Sequence, residues 1–187
     1  MRRPSFDNFS YSMRTYALGL IFFVPLSIGI LLVTTNASQN DHANQISRDV
    51  ASMYSQGMDF SKSSNQTIAL RVAEGLGMNR DQGVVILSKI RVVHDPDCGA
   101  PEKCANRGQA VVTQRYVIGN GGLRSSSFGT PGNIDPATGD IPNWANDVSA
   151  RAQEFPDKLK PGELIYAAEC YLVSPESRAG VYSRVLF

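Results

Sequence analysis

The sequence predicts an α+β protein in which an N-terminal transmembrane helix continues into an amphipathic helix packed on a small antiparallel sheet of about four strands. Three observations carry this expectation. Tyr16 to Val33, YALGLIFFVPLSIGILLV, is a run of eighteen positions without a charge. Apolar side chains then recur at helical spacing as far as Leu76, and from Gly83 onward the pattern changes to β-branched, alternating segments separated by Gly- and Pro-rich connections.

The apolar run is read as a membrane span. At 1.5 Å rise per residue it covers roughly 27 Å, close to the hydrocarbon thickness, and Thr34 and Thr35 extend it into the interface. A cleaved signal peptide has a shorter apolar region, about 7–15 residues, ending at a small-x-small site. Thr35-Asn36-Ala37-Ser38 is a poor version of one. Length therefore favours a retained span over a signal peptide or a buried core helix. Pro25 removes a backbone donor mid-span, which Ser27 or a partner helix is expected to offset, and Gly19 and Gly29 leave flat places for close helix contact. Gly19, Pro25 and Gly29 are thus the expected contact positions in the membrane.

Arg2, Arg3 and Arg14 precede the span, whereas Ser38 to Ser47 holds Asp41 and no Lys or Arg. The positive-inside rule then makes residues 1–15 cytoplasmic, 16–35 transmembrane and 36–187 an exported domain. Composition agrees with a folded domain: 42% of residues are hydrophobic and 19% charged. The net charge is +1, with both signs mixed along the chain, which gives no electrostatic footprint for nucleic acid or for anionic lipid.

Ile46, Val50, Met53 and Met58 form an apolar stripe that continues the helix beyond the span, with Gly57 as its stop. A second helix is expected to be capped by Ser64 or Asn65, to bury Ile68, Ala69, Val72, Ala73 and Leu76, and to close on Gly77 in the left-handed conformation. Residues 83 to 93, GVVILSKIRVV, read as a half-buried strand with Val84, Ile86, Ile90 and Val92 on one face and Lys89 and Arg91 opposite. Ala110 to Ile118, Glu163 to Val173 and Val181 to Phe187 read as three more.

Between the first two strands lies HDPDCGAPEKCANRG. In this polar connection Cys98 and Cys104 are expected to close a small disulfide ring, as suits an exported protein. A structural zinc site needs four ligands, and neither Cys170 nor the two histidines supply a second pair. Cys170 belongs with Leu164, Tyr166, Ala168 and Leu172 on one strand face and is read as a small buried hydrophobe. Residues 119–162, dense in Gly, Pro, Asn and Ser, form a connection far longer than a hairpin needs. Within it, Asn143 to Phe155 is expected to form a short helix packing Trp144, Val148, Ala152 and Phe155 downward.

No catalytic constellation, cofactor motif or metal-ligand pattern emerges, and neither an enzyme nor a small-molecule substrate is expected. Ser88 and Lys89 are adjacent on a strand and point to opposite faces, which separates them as a dyad. Asp135 to Asp140 lacks the alternating oxygens of a calcium loop and reads as a turn, as does Gly119-Asn-Gly-Gly122.

The basic N-terminus and Pro-containing span, the helix leaving it, GVVILSKIRVV, the Cys-tipped hairpin, RGQAVVTQRYVIGNGGLRSSSFGTP, PGELIYAAECYLVSP and AGVYSRVLF together resemble a TadE/TadG-type protein of the bacterial tight-adherence (Flp) pilus system, related to type IV filaments. The resemblance covers nearly the whole chain. It implies a pseudopilin-like minor component with a pilin-like head, a single-pass protein of the bacterial inner membrane whose C-terminal domain is periplasmic or extracellular. It would serve cell adhesion by association with pilus assembly proteins and other pseudopilins. Ile46, Val50 and Met53 would then be a lateral helix interface to those subunits. Members that enter filaments carry a glutamate early in the apolar helix. Here no acidic residue occurs from Asn8 to Asn40, which points to an assembly or priming factor held at the membrane. The alternative expectation is an anchored ligand-binding or sensory head with residues 119–162 as its recognition surface.

Overall fold

The structure, a computed structural model, describes residues 6–99, 104–155, 159–173 and 180–187, with backbone alone at 6–15, 17, 18, 32, 35 and 36. Arg2, Arg3 and the Arg14 side chain, on which the expected orientation rests, lie outside the described residues, as does the tip of the cysteine loop at 100–103. The chain divides into two compact units, Met1–Gln39 and Asn40–Phe187.

Helix α1 (Phe6–Ser55) runs for 50 residues with Pro25 inside it. In the first unit it is the whole of the described structure. Among the described residues no helix is long and apolar enough to cross a membrane.

The second unit is the expected α+β domain. Its helices are the C-terminal part of α1 and α2 (Ser63–Gly75); its strands are β1 (Gly83–Val92), β2 (Ala110–Gly119), β3 (Leu164–Val173) and β4 (Gly180–Leu186). All neighbours are antiparallel, in the order β2-β1-β3-β4. A register shift in the β1–β2 pairing falls between Lys89 and Ile90.

Helix α2 starts differently from expectation. Lys62 occupies the cap position without a side-chain cap bond. The Asn65 and Gln66 side-chain amides instead donate to the backbone carbonyls of Asp59 and Phe60, both at 2.7 Å, tying the helix to the turn before it. The helix buries Ala69, Leu70 and Ala73 and leaves Ile68 exposed, so its inward face is rotated toward Leu70. Gly77 closes it at φ +89°, the conformation in which glycine avoids the Cβ penalty.

One core lies between the helices and a face of the sheet, joining Ile46, Val50, Tyr54 and Leu70 to Val85, Leu87, Ala168 and Cys170. A second lies on the opposite face, where Ile90, Val111, Val112 and Ala167 meet Phe128, Ile141, Ala145 and Ala150 from the long connection. Residues 119–155 therefore form a second layer rather than a surface loop. This corrects the half-buried reading of β1. Val84 to Ser88 are buried without interruption because both faces are covered. The short helix expected over 143–155 is instead a run of turns with one 3-10 turn at Val148–Ala150. Trp144, Ala152 and Phe155 pack against the second core, while Val148 points outward.

Candidate interaction surfaces

In the first unit, Leu20, Ile21, Phe22, Phe23, Leu26 and Leu31 are all more than half exposed, Phe22 at 72%. A contiguous apolar surface of this kind marks a protein or membrane contact. A Cβ added at Gly19 or Gly29 meets nothing within 4 Å, so both are open notches on this surface. At Pro25 the missing N–H leaves the Ile21 carbonyl without its usual i−4 donor. Ser27 does not replace it, since its hydroxyl donates to the Val24 carbonyl at 2.9 Å.

The stripe expected to meet other subunits is occupied by the head itself. Ile46 and Val50 are fully buried in the first core and Met53 packs against it. Tyr54, one turn on, holds the stripe in place. Its ring meets Phe60, Tyr116 and Tyr166 edge-on at centroid distances of 5.7, 5.9 and 5.0 Å, and its hydroxyl donates to Gln114 Oε1 at 2.7 Å. The apolar periodicity of the helix was real. It faces a sheet supplied by the same chain.

Polar side chains pin the second layer to the sheet. Glu169, 2% exposed on β3, accepts hydrogen bonds from Ser126 Oγ, from the Ser127 backbone N–H at 2.8 Å and from Tyr182 Oη at 2.6 Å. Arg115 on β2 donates through Nε to Ser88 Oγ at 3.1 Å and through Nη1 to the Gly129 carbonyl, while its Nη2 finds no partner among the described residues. Burial drives the Arg115 guanidinium down to about 10, against the opposing pull of Glu169. Ser88 is thus committed to Arg115, and Lys89, on the other face, lies over the Tyr166 ring at 5.8 Å. Farther along, Asn106 Nδ2 donates to the carbonyls of Trp144 and Asp147 at 2.8 and 2.7 Å, and Arg151 Nε returns a bond to Asn106 Oδ1 at 2.8 Å.

Cys98 and Cys104 are disulfide-bonded with Cα atoms 5.6 Å apart, and Cys170 is a buried free thiol whose pKa burial pushes up to about 12. The ring is tied to β1 through Asp97, which receives Arg91 Nη2 at 2.9 Å, the His94 backbone N–H at 3.2 Å and the His94 ring. Burial alone would raise this carboxyl. The His94 hydrogen bonds and the Arg91 charge outweigh it and hold Asp97 below the usual carboxylate range. Asp135 to Asp140 is a turn, with Asp135 Oδ1 accepting from the Ala137 N–H at 2.8 Å. Gly139 sits at φ +71°, where a Cβ would fall 2.6 Å from the Tyr116 ring.

A cleft of about 260 Å³ opens where the second layer meets the sheet, lined by Lys89, Arg91, Gln114, Asp140, Trp144 and Leu164. Arg91 lies 6.0 Å over the Trp144 ring. No family model, curated protein or solved structure matches this chain.

Sequence reasoning missed Glu169 and Arg115 as internal anchors. Each is a lone charge inside an apolar strand, LIYAAECYLV or AVVTQRYVIG, at the parity opposite the helix-side core. That parity reads as solvent-facing unless a second layer is anticipated. The signal available was the ordered composition of 119–155, with Phe128, Ile141, Trp144 and Phe155 set among its turns.

Proposed function

We propose that the chain is a single-pass, membrane-anchored assembly factor or minor pseudopilin-like component of a tight-adherence-type pilus. Its N-terminus is cytoplasmic and its head is exported, and it acts by association. The observation that carries this reading is the uncovered apolar surface of α1 around Phe22 and Phe23, on a helix whose later turns are built into a folded head. The uncharged eighteen-residue run from Tyr16 to Val33 supports a bilayer as the covering medium. The Cys98–Cys104 bond supports an oxidising compartment for the head. Because Ile46 and Val50 are internal, lateral contact falls to the membrane segment, where Gly19 and Gly29 offer close approach.

Topology is tested by reporter fusions after Ser38 and after Leu76, both of which should be active only for an exported reporter. Function is tested by replacing Gly29 with Leu, which meets open space in the free helix and should leave the head folded while lowering partner recovery in membrane cross-linking and surface piliation. Normal piliation and adherence in a strain lacking the protein, with no redundant homologue, would overturn the pilus reading.

A second reading, an anchored ligand-binding head, is favoured by the 260 Å³ cleft, where Lys89 and Trp144 face the same space. Loss of adherence without loss of pilus assembly on replacing Trp144 with Ala would support it.

A further inference from the structure

The sheet has two edges, and the chain treats them differently. At the β2 edge the second layer supplies partners: the Arg115 N–H donates to the Gly139 carbonyl at 2.7 Å, the Ile141 N–H to Thr113 at 2.9 Å and the Ala152 N–H to Ala110 at 2.8 Å. At the β4 edge no such partner appears among the described residues. The ladder fixes which groups face outward. Phe187 and Tyr166 exchange both backbone bonds, at 2.9 and 2.8 Å. By antiparallel alternation, Val185, Ser183 and Val181 turn toward β3, and Leu186, Arg184, Tyr182 and Gly180 turn their N–H and C=O groups away from it. The strand carries none of the proline or lysine that commonly blunts an edge.

We propose that this edge pairs with the β4 edge of a second copy of the chain, antiparallel and two-fold symmetric about Ser183. The strand is self-complementary in that register. Ser183 is the midpoint of Gly180–Leu186, so centring there gives the longest overlap, and it sets outward groups opposite outward groups, as a ladder requires. Each Arg184, paired with Glu154 at 3.4 Å in its own chain, then lies opposite the partner copy's Tyr182, whose ring already carries Arg124 at 4.0 Å, so no like charges face each other, and each Val181 lies opposite a Val185 on the helix side. Shifting the register one way puts two Arg184 side chains opposite each other, a like-charge pair that destabilises. Shifting it the other way leaves Leu186 without an opposite residue in the strand. The result is a continuous eight-stranded sheet with the helix-covered faces of both heads on the same side. The inference does not depend on the pilus reading, since it rests on the head alone.

The test uses the full chain in detergent micelles. Light scattering should show a concentration-dependent dimer, and hydrogen exchange should show the Tyr182, Arg184 and Leu186 amides protected only in that dimer. Arg184→Pro deletes an outward N–H and spares every β3–β4 bond, so it should weaken dimerisation at least about tenfold without moving the exchange protection of β1 and β3. Should that variant unfold, a mixture of Val181→Cys and Val185→Cys chains in a Cys170→Ala background provides the second measurement. Mild oxidation should cross-link the mixture more than either variant alone. A monomer at all concentrations overturns the proposal, as does a dimer that Arg184→Pro leaves intact, or mixed cysteines that fail to link.

Discussion

Tyr182 on β4 donates its phenolic proton to the buried Glu169 carboxylate of β3 at 2.6 Å, and so joins the last strand of the sheet to the residue that anchors the second layer. Replacing Tyr182 with Phe leaves one of three donors to a desolvated carboxylate missing, and should cost about 1–3 kcal/mol in denaturant unfolding. Glu169→Ala should cost more, since it removes the shared acceptor of the Ser126 hydroxyl, the Ser127 N–H and the Tyr182 hydroxyl together.

Burial first, and then the Glu169 contact, push the Tyr182 phenol up to about 12. A folded-state pKa above the unfolded value of about 10 means that its contribution is complete below pH 10 and is lost as pH rises toward 12. Tyr182→Phe should therefore unfold less steeply with alkali than the wild type over that interval. Equal slopes would place the alkaline sensitivity elsewhere.

Asp97 gives the acid counterpart. Its folded pKa is depressed, so its contribution is present above the ordinary carboxylate range near pH 4 and is lost as pH falls through the folded value. The stability gap between wild type and Asp97→Asn should be open at pH 6 and should narrow as pH falls below the ordinary carboxylate range, measured by urea midpoint at each pH.

Thiol chemistry should separate the three cysteines. In the folded protein Cys170 should resist alkylation, being buried with a thiol pKa near 12, and should react once the head is unfolded. The Cys98–Cys104 bond closes only a short loop, so its reduction should lower stability by about 2 kcal/mol and leave the fold in place. Peptide mapping without reductant checks the pairing.

Val50→Asp buries an uncompensated charge at a position with no exposure, and should unfold the head outright. Gly29→Leu, in the other unit, should leave head melting unchanged. The pair separates what α1 does for the fold from what it does beyond it.

The four strands were legible to within a residue or two at each end because β-branched alternation is a local signal, and Cys170 fell on the buried face for the same reason. The disulfide followed from spacing and loop composition. The partner of a face was not legible. Ile46, Val50 and Met53 announce that something covers them, and periodicity carries no information on whether it is another subunit or a strand more than thirty residues later. Glu169 and Arg115 were hidden for a related reason: a charge in a strand reads as wet, and only the docking of 119–155 dries it.

The order β2-β1-β3-β4 also sets a timetable. Strand β1 finds β2 across one connection, but its other neighbour, β3, comes only after the whole second layer has been made. Contacts that close such a long stretch of chain form late and slowly. A polypeptide emerging during synthesis therefore has a hairpin early and no finished core until β3 arrives, which keeps the head open for most of that time. Chaperone dependence during synthesis should accordingly track the interval between emergence of β2 and emergence of β3, and should shorten if the strand order were permuted to make β1 and β3 sequential.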